Sequence, residues 1–430
     1  MSFATGLQTA NVTDVGMRRT TNQDSHAVVV ADTPDLFKKR GHLLMVADGM
    51  GAHAAGELAS KLATDNVPHL YHKHVDLSPP EALQLAVREA NTEINRRGNA
   101  NPDFHNMGTT CSVLVLLPQG AMCAHIGDSR IYRLRGNTVQ QLTFDHSLQW
   151  ELRASGQLPA GADIAAVVPK NVITRSLGPN QKVQSDLEGP HPIAVGDVYL
   201  LCSDGLTGKV EDGELGAILA SLPPKEAAQA LVDLANLRGG PDNCTVLIAR
   251  VVGPEAATNG SADPIRVGGT RETHPVHPAF WIVAAVSVLA AGVIALMQHY
   301  IPAAAALGVG VVSAVVGLAR KYRGYTSGTV VGQGKILGKG PYTSTVCPPS
   351  HDLAQKLADT LSELREAARD GQWSIHWRPL DEACHQAAAA DKSGNFAEAI
   401  RQYCRGISHM MQELRKQSPK KGSSDSAITY

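Results

Sequence analysis

The chain has 430 residues, with 39 basic against 40 acidic ones and a formal net charge of -1. That balance excludes the concentrated basic footprint of a nucleic-acid binder, and 43 % hydrophobic content excludes a disordered chain. The seven cysteines are odd in number and form no Cys-x-x-Cys pair, which excludes a disulfide framework and a zinc site and suits a reducing compartment.

Residues 1–11 hold no long apolar run, so no signal peptide is expected. From 1 to 253, short apolar runs alternate with helix-like segments. Strands are predicted at 42–47, 110–117, 121–126, 198–202 and 245–252, each bounded by Gly, Asp, Pro or Ser. Helices are predicted at 56–70, 80–97 and 224–237, the last two with proline near the first turn. The mixture predicts an α+β domain. Residues 254–278 are polar and rich in small residues and read as a linker.

Two apolar stretches follow, 280–297 and 301–319, both uncharged and separated by Gln298-His299-Tyr300. Each approaches the roughly 20 helical residues that cross a bilayer. Arg266 and Arg271 lie before the first, and Arg320, Lys321 and Arg323 after the second. Basic flanks on both outer sides predict a transmembrane hairpin (279–319) in a bacterial inner membrane, with both ends cytoplasmic. The competing reading is a buried helical hairpin in a soluble domain.

Residues 320–350 read as a basic, Gly-rich juxtamembrane linker whose lysines rest on anionic lipid. Gly332-Gln333-Gly334-Lys335 lacks the spacing and the preceding strand of a P-loop. Residues 351–416 read as a small all-α region that binds a protein partner. Its segment from Ser393 to Tyr403 resembles half of a tetratricopeptide-type repeat. Residues 417–430 read as a disordered tail.

The chemistry is carried by aspartates. Asp48, Asp128 and Asp204 each close an apolar strand candidate, and Asp242 precedes one. One Asp beside a strand is ordinary turn chemistry. Four of them, two in Asp-Gly pairs, predict a cluster at one sheet edge. Clustered carboxylates repel unless a cation lies between them, and hard divalent ions with oxygen ligands meet that need. A Cys-x5-Arg loop is absent: Cys244 and Arg250 have the spacing but share one strand-like run.

The motifs are Thr13-Asp14-Val15-Gly16 with Arg19-Thr20-Thr21-Asn22-Gln23-Asp24, Asp48-Gly49-Met50-Gly51-Ala52-His53 and Met107-Gly108-Thr109-Thr110. They continue with Gly127-Asp128-Ser129-Arg130-Ile131-Tyr132, Leu142-Thr143-Phe144-Asp145-His146-Ser147 and Ile173-Thr174-Arg175-Ser176-Leu177-Gly178. Ser203-Asp204-Gly205-Leu206-Thr207 and Asp242-Asn243-Cys244-Thr245 complete the series. In this order they resemble the metal-dependent protein phosphatases of the 2C type, in their bacterial form, over about residues 5–252.

The resemblance implies a four-layer α-β-β-α sandwich that hydrolyses phosphoserine and phosphothreonine by direct attack of a metal-bridged water. It implies two Mn2+ or Mg2+ ions held by Asp48, the Gly49 carbonyl, Asp204 and Asp242, with Asp128 and Asp204 at a third, weaker site. Arg19 would grip the phosphate and Asp24 would stand behind the metals. Phosphorylated Ser/Thr proteins would be the substrates, and a bacterial-type Ser/Thr kinase the opposing enzyme. Gln23 stands where some members have Glu, Ala52 where Gly is frequent, and Met50 where animal members place a histidine. His53, His125 and His146 read as structural or exposed residues before they read as acids. The alternative is a catalytically weak, phosphoprotein-binding membrane scaffold. Residues 148–171, with several Gly and Pro, are predicted to be a mobile flap beside the metals.

Overall fold

Side chains alternate along a strand, so a strand buried on both faces must be apolar throughout. Val198–Cys202 is such a strand. Tyr199 and Leu201 face one core cluster, while Val198, Leu200 and Cys202 face another. The computed structural model describes residues 5–52, 54–155, 168–169, 172–267, 278–322, 329–331 and 336–417.

The strands are β1 (Leu7–Asp14), β2 (Asp24–Val29), β3 (His42–Met50), β4 (Gly108–Thr109), β5 (Cys111–Leu117), β6 (Gly120–Ile126), β7 (Arg130–Arg135), β8 (Thr138–Gln141), β9 (Asp186–His191), β10 (Val198–Cys202), β11 (Cys244–Val251), β12 (Ile265–Val267), β13 (Thr329–Val331) and β14 (Thr343–Val346). The helices are α1 (Pro34–Arg40), α2 (Ala55–Lys73), α3 (Pro79–Ala100), α4 (Leu148–Ala154), α5 (Asp204–Thr207), α6 (Asp212–Ser221), α7 (Pro224–Leu237), α8 (Pro278–Leu296), α9 (Tyr300–Tyr322), α10 (His351–Asp370), α11 (Trp377–Lys392) and α12 (Phe396–Gln417).

Residues 1–263 and 332–430 form one compact unit. Within it one sheet runs β1-β11-β10-β7-β8-β14 and the other β2-β3-β5-β6-β9, with β4 beside β3. The sheets face each other across Leu44, Val46, Leu114, Leu116, Ile131, Leu201 and Leu247. Helix α2 covers β2 and β3, with α3 packed on it. Helix α3 starts at a capping box, Ser78 and Glu81, with Pro79 at its first turn. On the other side α6 and α7 cover the outer face of the first sheet, giving the expected α-β-β-α layering.

Three expectations change here. The expected linker 254–278 is fixed over its first part. Ala256 is fully buried in the core between the sheets. Thr258 exchanges hydrogen bonds with Ile193, and Asn259 N–H donates to Pro118 O at 2.8 Å. The juxtamembrane segment 320–350 contains β14, which pairs antiparallel with β8 from Thr343↔Gln141 to Val346↔Thr138. Upstream of β14, Leu337 pairs with Gly189, and Tyr342 Oη and Gly340 N–H donate to Glu188. The outer edge of β8 offers unpaired backbone groups, and this polar segment satisfies them.

The third change concerns residues 351–416, which are helical as expected but do not stand apart. Helices α10 and α12 share one apolar cluster with α6 and α7, including Leu357, Leu361, Ile407 and Met410. Each such side chain contributes about 1.5–3 kcal/mol on burial. The expected flap is helical over α4, capped by Ser147; residues 156–167 and 170–171 lie outside the described residues, as do His53, Gly332-Gln333-Gly334-Lys335 and the tail from 418.

Residues 264–331 form the second unit. Helices α8 and α9 pack as a hairpin whose turn has Gln298 in the left-handed region. A Cβ on Gly310 would meet Ala284 O at 3.2 Å, so the helices approach closely there. β12 pairs with β13, joining the chain entering the hairpin to the chain leaving it. Among the described residues only Pro278–Leu296 is both long and apolar enough to cross a membrane, and 6 % of its most apolar window is buried. The apolar part of α9, Tyr300–Val316, is shorter. The buried-core reading of the first stretch does not fit that exposure.

Candidate active site

The expected aspartates meet where the two sheets end. Asp48 lies near the end of β3, directly opposite Asp24 of β2. Its backbone is clamped from three directions. Asp48 N–H donates to Thr110 Oγ1 at 2.8 Å, while Thr110 N–H and Thr109 Oγ1 donate to Asp48 O. Gly49 must be glycine, because a Cβ would meet Gly56 O at 2.1 Å. Gly49 N–H donates to Gln23 O at 3.1 Å, so the stretch before Asp24 is fastened to this same turn.

Asp204 begins α5, immediately after β10. Ser203 ties this strand end to its neighbours: its Oγ donates to Asp24 Oδ2 at 2.7 Å and accepts from Thr245 N–H at 3.0 Å. Asp242 stands just before β11. Asn243, beside it, holds three pieces of the Arg19 loop. Its Nδ2 donates to Val15 O and Thr21 O, and its Oδ1 accepts from Gln23 N–H at 2.8 Å. Arg19 Nη2 donates to Asp242 Oδ2 at 2.7 Å, with the arginine side chain half exposed.

Asp128 follows the turn at Gly127, which sits at φ 109°. Two buried histidines hold that turn. Gly127 N–H donates to His146 Nδ1, so the proton of the neutral ring lies on Nε2, which donates to Asp186 Oδ2 at 3.0 Å. His125 Nε2 donates to Gly127 O, its ring stacks 5.1 Å from that of His146, and burial pushes its pKa down to about 3. Both histidines are structural. A cavity of about 250 Å³ opens beside Asp128 and Asp204, with Arg130, Asp145, Trp150 and Arg153 in its walls.

The electrostatics show what the cluster lacks. Withdrawal from solvent raises Asp24 and Asp128 to about 7 and Asp204 to about 6. Asp48 is raised well above the carboxylate range, first by desolvation and then by Asp24, Asp204, Asp128 and Asp242. Oδ1 of Asp24, of Asp128 and of Asp204 is buried without a partner. Unpaired, mutually repelling carboxylate oxygens fit divalent cations. Among the described residues no three His, Cys, Asp or Glu side chains enclose an ion by themselves. Ions here would therefore complete their shells with waters and backbone oxygen, as Mg2+ and Mn2+ do.

The site thus brings together Asp24, Asp48, Gly49, Asp128, Asp204, Asp242 and Arg19. Sequence reasoning missed the organising roles of Asn243, Ser203 and Thr110. Their only signal was a place inside the quoted motifs.

Residues 17–151 match the family model for protein phosphatase 2C. Protein phosphatase PhpP of Streptococcus pneumoniae is 38 % identical over 249 residues, covering 56 % of this chain and 96 % of that protein. This chain belongs to the protein phosphatase 2C family. Serine/threonine phosphatase stp of Listeria innocua is 35 % identical over 241 residues, or 92 % of its length. The solved Mycobacterium tuberculosis serine/threonine phosphatase PstP/Ppp is 34 % identical, with a TM-score of 0.50, covering 57 % of this chain and 99 % of that one. The chain is accordingly a protein serine/threonine phosphatase of bacterial type. Phosphatases of the 2C type use Mn2+ or Mg2+.

Proposed function

We propose that this phosphatase is tethered to a membrane and hydrolyses phosphoserine and phosphothreonine in proteins phosphorylated by a bacterial-type Ser/Thr kinase. Asp48, Asp204, Asp242 and the Gly49 carbonyl would hold a metal pair, and Asp128 with Asp204 a third ion. When bound, the pair supplies an activated water and positive charge against the phosphoryl oxygens.

The chain's own residues do the positioning. Arg19 presents a planar guanidinium suited to a phosphate, aimed by its single bond to Asp242. Thr109 and Thr110 fix the backbone of Asp48, and Ser203 fixes the Asp24 carboxylate. His125 and His146 have both ring nitrogens engaged, so neither is free to protonate a leaving group. The observation that carries the reading is the group of withdrawn carboxylates with three unpartnered oxygens. No residue of that set is missing, which disfavours the scaffold alternative.

The test is hydrolysis of a phosphothreonine peptide and of p-nitrophenyl phosphate by the full chain with Mn2+, and again after EDTA. Turnover should vanish with chelation and return with added Mn2+. Activity that survives thorough chelation overturns the reading.

The tether rests on the apolarity and exposure of α8, on the hairpin it makes with α9, and on the β12–β13 pairing, which brings both chain ends to the same side. Reporter fusions after Lys339 should be cytoplasmic. Recovery of the chain in the soluble fraction without detergent overturns membrane attachment.

A further inference from the structure

The loop that carries Arg19 leans on Asp14, the last residue of β1. Asp14 Oδ1 accepts from Gly16 N–H at 2.9 Å and from Asn236 Nδ2 at 3.0 Å. Met17 and Arg18 N–H both donate to Gly240 O. Gly16 sits at φ 79°, and a Cβ there would meet Asp242 O at 2.2 Å. The loop is therefore pressed against the segment that ends in Asp242, the partner of Arg19.

The other oxygen of Asp14 is held from far along the chain. Arg415 Nη2, near the end of α12, lies 3.2 Å from Asp14 Oδ2 and 2.8 Å from Asp233 Oδ1. The Asp233 side chain is fully buried in α7, where Gln229 also donates to it. One guanidinium thus bridges the helical layer and the base of the Arg19 loop. Helix α12 has separate docking contacts that avoid the loop. Arg401 Nε donates to Ser221 O, and Arg405 pairs with both oxygens of Glu226.

We propose that Arg415 is a positioning residue for catalysis: by holding Asp14 against Asp233, the C-terminal helices set the aim of Arg19 and hence the affinity for the phosphorylated substrate. The proposal rests on the reading of Arg19 as the phosphate-binding residue. Without Arg415, Asp14 and Asp233 would face one another uncompensated, and the turn at Gly16 would lose its fixed base.

The experiment measures kcat and KM of the full-length protein in detergent with Mn2+, on p-nitrophenyl phosphate and a phosphothreonine peptide. Arg415→Ala should raise KM roughly 3- to 10-fold, the range of coupling through a positioning contact, with a much smaller change in kcat. Arg415→Lys should recover part of that loss. In an Arg19→Ala background, Arg415→Ala should have no further effect on KM, because the two act through one group. Arg405→Ala, which loosens the same helix without touching the loop, should leave KM unchanged.

Should Arg415→Ala fail to fold, Asp14→Asn carries the same cycle, since its Oδ1 still accepts from Gly16. The proposal is overturned if Arg19→Ala raises KM while Arg415→Ala does not. It also falls if the two effects add, or if Arg405→Ala raises KM equally. A silent Arg19→Ala instead removes the phosphate-binding reading, and this proposal with it.

Discussion

The aspartate end of the sandwich and the docking surface of the C-terminal helices both hold buried acids, but they treat them in opposite ways. At the docking surface fully buried Asp233 has Arg415, buried Glu214 nearby has Arg238, and the more exposed Glu226 has Arg405. At the sheet ends Asp24, Asp48, Asp128 and Asp204 face one another, and three of their oxygens have no partner. Charge left uncancelled marks where a ligand is expected, while charge cancelled internally marks a contact built to stay closed.

The comparison breaks first at Asp204. Asp204→Asn should cut turnover by more than about 100-fold, above the loss from altering an outer-shell partner of a metal site. In EDTA the same variant should be more stable than the parent by about 1 kcal/mol or more, because it removes a carboxylate whose pKa folding raises. Thermal melts without metal check this, and a loss of stability there would erase the contrast. Next is the docking core: Leu361→Ala or Ile407→Ala should cost about 2–5 kcal/mol, read by chemical denaturation, since both side chains are buried in the shared cluster.

Asp233→Asn should change stability less than Asp204→Asn. It too removes a carboxylate that burial raises above its ordinary pKa, but it also strips Arg415 of its nearer partner at 2.8 Å, and the two effects oppose. A gain at Asp233 as large as that at Asp204 would refute the contrast. Smallest is Arg405→Ala, at most about 1 kcal/mol for so exposed a pair. The bond to Arg405 holds Glu226 below its ordinary pKa. The pair therefore stabilises above the unfolded pKa and loses that contribution as pH falls through the folded one. Melts of parent and variant should converge in acid.

The aspartate cluster was legible because an Asp at the end of an apolar run is a local signal, given by three that close a run and by Asp242, which precedes one. The two apolar helices were legible for the same reason. Strands β7 and β8 were not, because polar side chains interrupt them: Arg130 pairs with Asp145 and Arg133 with Gln140 only once the sheet exists. β14, Thr-Ser-Thr-Val, has no apolar face, and its strand conformation comes from the edge of β8. The apolar stripe of α12 was visible, but a stripe does not name its partner, and α6 and α7 carry none of the motifs that signalled the site. Asn243 was hidden similarly, since three backbone partners from a loop some 220 residues earlier leave no trace in its neighbourhood.

The pairing of β8 with β14 also orders events during synthesis. Asn137 and Cys347, which close that ladder, are 210 residues apart. Until the later strand leaves the ribosome, the catalytic sheet keeps one side open, and an open side recruits strands from other chains. The apolar hairpin is made in that interval. A chain stopped before Thr343 would keep every aspartate of the cluster yet carry both an adhesive rim and the bare apolar face of α6 and α7. The sheet can be sealed only after the hairpin has emerged.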